Sequence, residues 1–507
     1  MATPSPHTIP LRTILIALPL LSLLVIFSHH LLYRPSSPLP PPLLTHVLHP
    51  SSPPEATAAP ANNNSTAASS STPPPAPTTL RHVVFGIASS RRTLPLRLPL
   101  LRLWLHTPSP SPTTPHGFVF LDAPAPAAVA KALPHGISLR VSADASRFPY
   151  THPRGLPSAV RVARIAGELI SALDADENDG NDTLRPTPRW LVLADDDTAF
   201  VVPNLLRVLN KYDHREPWYI GARSESAAQN AWHGFSMAYG GAGVAISWTL
   251  ARRLGRVIDS CVLRYPHVYG SDARIFTCLA ELGVELTHEP GFHQIDLHGD
   301  ISGLLRAHPL SPLVSLHHLD QVYPLYPGMD RTRAIQHFFR AANADPARIL
   351  QQTVCYDSKR SLTVSIAWGY SVQVLKGNVL LPDLLAVQKT FVPWKRGRNA
   401  TDVYMFNTKH VPRDECKRGA LFILKSISSG ECKTETTYSR QPLRKCPPDL
   451  IPLRNLNIIK VKAEKLRLIP GKALRRHCCD IVPSSSDTTM DVNIRKCKDD
   501  ELIAMHS

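Results

Sequence analysis

The sequence predicts an α/β domain over residues 80–346 and a smaller β-rich accessory region over residues 347–507. Three observations carry that expectation. Short apolar runs alternate with helical repeats through the first region, and this strand, helix, strand order implies a sheet covered by helices. One run ends in three consecutive carboxylates, Asp195, Asp196 and Asp197, and open α/β sheets collect ligands just beyond their strand ends. Polar and apolar residues alternate over 361–374 in the manner of paired strands.

Taken in order, residues 82–88 form the first strand candidate, leading into Ser89-Ser90-Arg91-Arg92 and a Leu-rich helical stretch through Trp104. Residues 117–121 form a second strand. Over 158–173, Val162, Ile165, Ala166, Leu169 and Leu173 share one face at helical spacing. The acidic stretch 174–182 resembles a calcium loop, but Gly is not at its sixth position and Arg185 stands where the twelfth-position Glu belongs. It is expected as a solvated surface loop. Residues 190–193 suit a buried parallel strand ending at Ala194. Three adjacent negative charges repel one another, so the triplet is costly unless a hard cation or hydrogen-bond donors compensate. The alternative is a helix start with Asp197 capping residues 201–209, which needs only one carboxylate.

Further along, residues 216–223 read as a strand with a Gly near its end, and 239–246 as a glycine-rich turn into an apolar segment. Gly240 and Gly241 there allow backbone to approach a ligand closely, although a tight packing turn explains them equally. The spacing is not that of a dinucleotide fingerprint. Asp272 stands just ahead of the amphipathic segment 274–282, where a helix cap is its simplest role. His317 and His318 offer imidazoles able to complete a metal shell with a carboxylate, or to serve structurally.

The amino terminus bounds the setting. Residues 13–33 carry no Lys, Arg, Asp or Glu over 21 positions, enough for a membrane-spanning helix despite Pro19. A cleaved signal peptide is the rival, but no small-x-small cleavage site follows the apolar core. Flanking charge is nearly balanced and leaves orientation open. Residues 34–79, rich in Pro, Ser, Ala and Thr, read as an extended stem. Glycosylation sequons at Asn63, Asn64, Asn181 and Asn399, together with nine cysteines, favour an oxidising lumen. The expected layout is a cytosolic tail over 1–12, one span, a stem and a lumenal body.

About 425 residues follow the stem, more than one core usually organises, so two domains are expected. From residue 351 to 507 there are 27 Lys and Arg against 15 Asp and Glu, a surplus of 12 within the chain's +16. That bias suits an acidic glycan, a membrane surface or simply a solvated basic face. No nucleic-acid-binding motif accompanies it. Cys416, Cys432, Cys446, Cys478, Cys479 and Cys497 are expected to pair in one of 15 connectivities, with Cys261 and Cys278, which bracket Asp272, as a further bridge. No paired C-x-x-C spacing points to zinc.

Six ordered motifs resemble the Fringe-type β-1,3-glycosyltransferase family, most closely the plant Fringe-related proteins with an uncharacterised domain. They are Trp-Leu-Val-Leu-Ala-Asp-Asp-Asp (190–197), Trp-Tyr-Ile-Gly (218–221), Gly-Gly-Ala-Gly (240–243), Gly-Ser-Asp-Ala-Arg (270–274), Pro-Gly-Phe-His-Gln (290–294) and Ser-Leu-His-His-Leu-Asp (315–320). The resemblance implies a GT-A-like nucleotide-sugar-binding domain, a UDP-sugar donor, a glycan or glycoprotein acceptor, Mn²⁺, and a type II Golgi membrane protein. It also implies roles: Asp197 and His318 as metal ligands, Asp195 and Asp196 beside the donor with Gly240 and Gly241, and Asp272 as general base. Gly270-Ser271 departs from the family's Pro-Glu/Asp, which leaves Asp272 but alters the acceptor loop. A catalytically degenerate glycan-binding or scaffolding protein is the alternative.

Overall fold

Four strands open the fold, three of them buried where the periodicity places them and the third in chain order a half-exposed edge strand outside the sequence expectation. They are β1 (Val83–Ala88), β2 (His116–Leu121), β3 (Ile137–Val141) and β4 (Trp190–Asp195). The computed structural model describes residues 76–105, 115–178, 187–395, 403–443, 445–447, 453–469, 471–483 and 486–505. The expected span over 13–33, residues 34–75 of the expected stem and all four sequons lie outside these residues, whereas 76–79, also expected as stem, belong to the folded body, Thr78 being buried and bonded to Asn210. Among the described residues no helix is long and apolar enough to cross a membrane.

The chain continues through β5 (Ala199–Phe200), β6 (Tyr219–Gly221), β7 (Val244–Ser247), β8 (Leu286–His288), β9 (Phe292–His293), β10 (Leu297–Gly299) and β11 (Ser315–Leu316). Seven strands form one sheet in the order β3-β2-β1-β4-β7-β6-β8. β1 pairs in parallel with both β2 and β4, while β7 runs antiparallel to β4. The chain moves outward from β1 to β2 and β3, then returns to the opposite flank of β1 as β4. Strand order therefore reverses between β1 and β4, and the crevice beyond their carboxyl ends is the ligand position of such sheets.

Alternation along β1 feeds two cores. Phe85 and Ile87 face one side, packed with Trp104 and Phe200, while Val84 faces the other with Leu169, Leu254 and Leu279. The second side is covered by the helices Ser158–Asn178, Trp248–Arg264 and Gly270–Glu281. The first of these runs five residues into the acidic stretch expected as a loop, so Asp174 is helical and pairs with Arg252 at 2.8 Å. A disulfide between Cys261 and Cys278 joins the last two helices, as the spacing suggested.

Beyond residue 346 the β-rich expectation takes form as β12 (Gln352–Asp357), β13 (Leu362–Ala367), β14 (Ser371–Lys376), β15 (Val387–Gln388), β16 (Phe391–Pro393), β17 (Thr408–Lys409), β18 (Ala420–Ser429), β19 (Lys433–Arg440), β20 (Ile458–Glu464), β21 (Cys478–Val482) and β22 (Thr489–Arg495). Eight of them make a sheet ordered β12-β13-β14-β18-β19-β20-β22-β21. Its inner residues, among them Val364, Val372, Phe422 and Val461, belong to the same apolar cluster as Phe85 and Phe200. β10 pairs antiparallel with β16, Leu297 opposite Pro393. The boundary expected near residue 346 thus falls inside one compact unit, Pro73–Ser507.

The remaining bridges are Cys355–Cys479, Cys416–Cys446 and Cys478–Cys497. Cys432 is exposed and free, so the six-cysteine set expected from sequence is corrected: Cys355 replaces Cys432. The physical reason is position, since β12 runs beside β21 across the closing edge while Cys432 sits in the β18–β19 turn. Native protein is expected to take up one maleimide per chain, and none after Cys432→Ser, by intact-mass measurement. Two or more labels on the native chain would contradict this pairing.

Candidate active site

The three carboxylates at the end of β4 meet three different environments. Asp196 is buried and accepts hydrogen bonds from Ser89 Oγ at 2.6 Å and Thr93 Oγ1 at 2.7 Å. Both hydroxyls come from the turn after β1, so this carboxylate ties together the two strands that define the crevice. Arg97, on the helix that follows, reaches Asp196 at 3.7 Å, Asp197 at 3.4 Å and Asp320 at 2.7 Å. Asp197 does not cap the next helix, whose cap residue is Val201 with no side-chain bond.

Asp197 instead faces His317, with Oδ1 2.9 Å from Nε2. The topology delivers this pair. β11 lies antiparallel to β5, Leu316 opposite Ala199, so residue 317 emerges beside the residues that close the acidic triplet. Burial alone would push the Asp197 carboxyl up, but the hydrogen bond and charge of His317, helped by Arg97, hold it below the usual carboxylate range. Burial opposes charge on His317 as well, yet Asp197, Asp195 and Asp296 raise it to about 9. Its Nδ1 lies 3.2 Å from the Gln294 carbonyl, a bond that requires the proton on Nδ1. The Nε2 face is thereby aimed at the carboxylates, the orientation a metal-binding histidine needs from its outer partner.

Asp195 has no such compensation. Burial raises it to about 7; His317 opposes the rise, while Asp197, Asp272 and Asp196 add to it. Its side chain remains 43 % exposed to the cleft, so the shift marks a carboxylate crowded at a mouth rather than one sealed from water. Ligand atoms of Asp195, Asp197 and His317 all lie within 4.8 Å of one another. Two carboxylates and one imidazole suit a hard to borderline divalent cation such as Mn²⁺.

His318, the histidine expected as ligand, is placed differently. Its backbone is left-handed, φ 52°, and the ring turns to Ile295 O at 3.3 Å. The ring stacks on Trp394 at 4.5 Å, a residue just beyond β16, and its centroid lies 3.8 Å from that of the His317 ring, tilted by 35°. Burial and the neighbouring His317 lower it to about 4. It borders the site, whereas His317 points into the carboxylates.

Gly240 and Gly241 form the opposite wall, on a short 3₁₀ turn ahead of β7. The turn is fixed by Thr198 Oγ1 donating to the Gly241 carbonyl at 2.8 Å and by the Ala242 N–H donating to Gln294 Oε1 at 2.8 Å. A Cβ on Gly241 would lie 2.2 Å from the His317 ring, and one on Gly240 would lie 2.6 Å from Asp272 Oδ1. Both positions therefore need glycine for close approach to acidic and imidazole groups. Asp272 sits in the first turn of its helix but does not cap it. It accepts bonds from the Gly240 N–H and from Ser271 Oγ, and burial raises its pKa despite them. Asp195, Gly240 and Asp272 line one small cavity.

Arg97, Asp296, Asp320 and Trp394 were not singled out from sequence. Asp320 and the segment holding Asp296 lie in or beside motifs already noted, but Arg97 occupies an otherwise Leu-rich helix and Trp394 comes from another sheet. Only the fold assembles them.

Known proteins share parts of this chain. Residues 229–479 match the family described as "Protein of unknown function, DUF604". A mouse β-1,3-glucosyltransferase is 35 % identical over 105 residues, 21 % of this chain and 20 % of the relative. The human β-1,3-glucosyltransferase is 34 % identical over 105 residues with the same coverage. The chain thus spans about a fifth of the length of these relatives. Two LgtC structures, an active-site mutant and a galactosyltransferase complex with donor and acceptor sugar analogues, are 13 % and 14 % identical. Each alignment covers 50 % of this chain and 94 % of that one at a TM-score of 0.31, too low to carry an argument.

The division among the carboxylates has a measurable consequence. Asp196→Ala strands two hydroxyls and part of the Arg97 charge, and is expected to cost about 1–3 kcal/mol in denaturant unfolding. Asp195→Asn relieves repulsion and is expected to be neutral or stabilising in metal-free buffer. Equal losses in the two variants would contradict this assignment.

Proposed function

We propose that this chain is a metal-dependent inverting glycosyltransferase, moving a sugar from a UDP-sugar to a hydroxyl of a glycan, glycoprotein or other acceptor, as a β-1,3 linkage. The observation that carries the reading is the convergence of Asp195, Asp197 and His317 at the reversal of strand order, with Asp272 across Gly240. The β-1,3-glucosyltransferase similarity over a fifth of the chain supports it.

Asp197 and His317, with Asp195, are the residues that would hold the cation. When bound, it would supply positive charge to offset that developing on the departing nucleotide diphosphate. Asp196 has a separate structural role, locking the turn after β1 to the end of β4 so that the donor-facing edges keep their spacing. Asp272 accepts the proton of the acceptor hydroxyl as that oxygen attacks the anomeric carbon from the face opposite the leaving group. Its elevated pKa makes it a stronger base than a solvated carboxylate, and the Gly240 N–H orients it. The glycine wall lets substrate lie close to both groups.

The proposed setting is the Golgi membrane, anchored as a type II protein with the body in the lumen. Four disulfides and the apolar stretch at 13–33 support it. Gly270, with φ 71° and open space around it where the family resemblance calls for Pro, favours a second reading, a degenerate glycan-binding protein.

Turnover separates the two. A UDP-sugar panel is expected to show Mn²⁺-dependent hydrolysis or transfer by the wild type. Asp197→Ala and Asp272→Ala should each reduce it by about 10²-fold or more. Metal-dependent donor binding without turnover would support the second reading, and turnover indifferent to Asp272→Ala would contradict the first.

A further inference from the structure

Six cations surround one cavity on the second sheet, and among the described residues no carboxylate lines it. Its volume is ≈ 250 Å³, and it lies between residues 310–312, the approach to β12 and the irregular segment joining β20 to β21. The cations are Arg348, Arg467, Lys472, Arg475, Arg476 and Lys496. Arg348 forms part of the floor, 3 % exposed, held by Asp345 at 3.3 Å, the Glu464 carbonyl at 2.7 Å and His477 Nδ1 at 3.2 Å. Because a guanidinium only donates, His477 Nδ1 must accept, and its ring is neutral; burial, Arg348 and Lys496 lower it to about 4.

Arg467, Lys472 and Lys496 are exposed at the rim, and their charged groups have no ion-pair partner among the described residues. Like charges gathered over a partly buried floor repel one another unless a counter-ion intervenes. A second observation points the same way. Ser311 lines the cavity at 5 % exposure, and among the described residues its Oγ has no hydrogen-bond partner. A buried hydroxyl left unpaired is costly, and turning this one toward the adjoining cavity would pair it with a ligand acceptor. Leu310, Pro312 and Leu474 supply apolar wall between the charges.

From this arrangement we propose that the cavity binds a carboxylated saccharide, a uronate ring whose anionic group meets the cations while its C–H face lies on the apolar wall. A concave site smaller than the roughly 300–1,000 Å³ of drug-sized ligands suits one sugar ring and disfavours a flat bilayer or a nucleic-acid duplex. The site lies outside the Asp195 to His317 constellation and does not rest on transferase activity. If that activity holds, the pocket would give the chain a second hold on an acidic acceptor.

The test is isothermal titration of the purified full chain with trigalacturonate, cellotriose, inorganic sulfate and vesicles containing anionic lipid. Trigalacturonate is expected to bind, more weakly as salt rises. The rim variant Arg467→Glu/Lys496→Glu is expected to weaken binding about tenfold or more with an unchanged melting temperature. Ser311→Ala should weaken it by a smaller factor. The proposal is overturned if trigalacturonate fails to bind, if cellotriose or sulfate binds as tightly, if vesicles are preferred, or if the rim variant binds normally.

Discussion

Three adjacent carboxylates at the mouth of a parallel sheet repel one another, and burial removes the water that would screen them. The protein answers each differently. Asp196 is hydrogen-bonded by two hydroxyls and approached by Arg97, which offset part of the rise that burial imposes on it. Asp197 takes the charge of His317. Asp195 keeps an elevated pKa near 7 at the cleft edge, and a divalent cation between these groups would complete what the protein leaves open. Much of the surrounding structure serves this arrangement: the β5–β11 pairing, the glycine wall and the left-handed backbone at His318.

The chain beyond residue 346 contributes to the same place. Its apolar residues continue the core that backs β1 and β4. The β10–β16 pairing brings Trp394 over His318, which leaves His317 as the imidazole directed at the acids. A substitution that unseats Trp394 therefore acts on the site from a distance, through the His318 ring stacked on it and the tilted His317 ring beside that.

The strands, the helix beginning at Ser158 and the acidic triplet were readable from sequence, because each writes its own period or composition locally. The choice between His317 and His318 was not. Adjacent residues share every local signal, and only a positive φ with a stacking Trp from 76 residues away separates them. The same limit hid Arg97, which reaches the triplet, and Asp296, which lies beside the two histidines, both only through the fold. It also hid the disulfide partner of Cys479, since Cys355 comes near only when the second sheet closes. The helical run through Asp174 was missed because acidic clusters favour loops, whereas the apolar face of that helix is long enough to carry them.

The central claim is that His317, with Asp197, holds a divalent cation. Electron spin-echo envelope modulation of Mn²⁺ bound to the chain measures it, since a coordinated imidazole nitrogen imprints its own modulation. The expected result is ¹⁴N modulation that appears in the wild type, persists in His318→Ala and vanishes in His317→Ala. Modulation that survives loss of His317 but not of His318, or no Mn²⁺ bound at all, would contradict it.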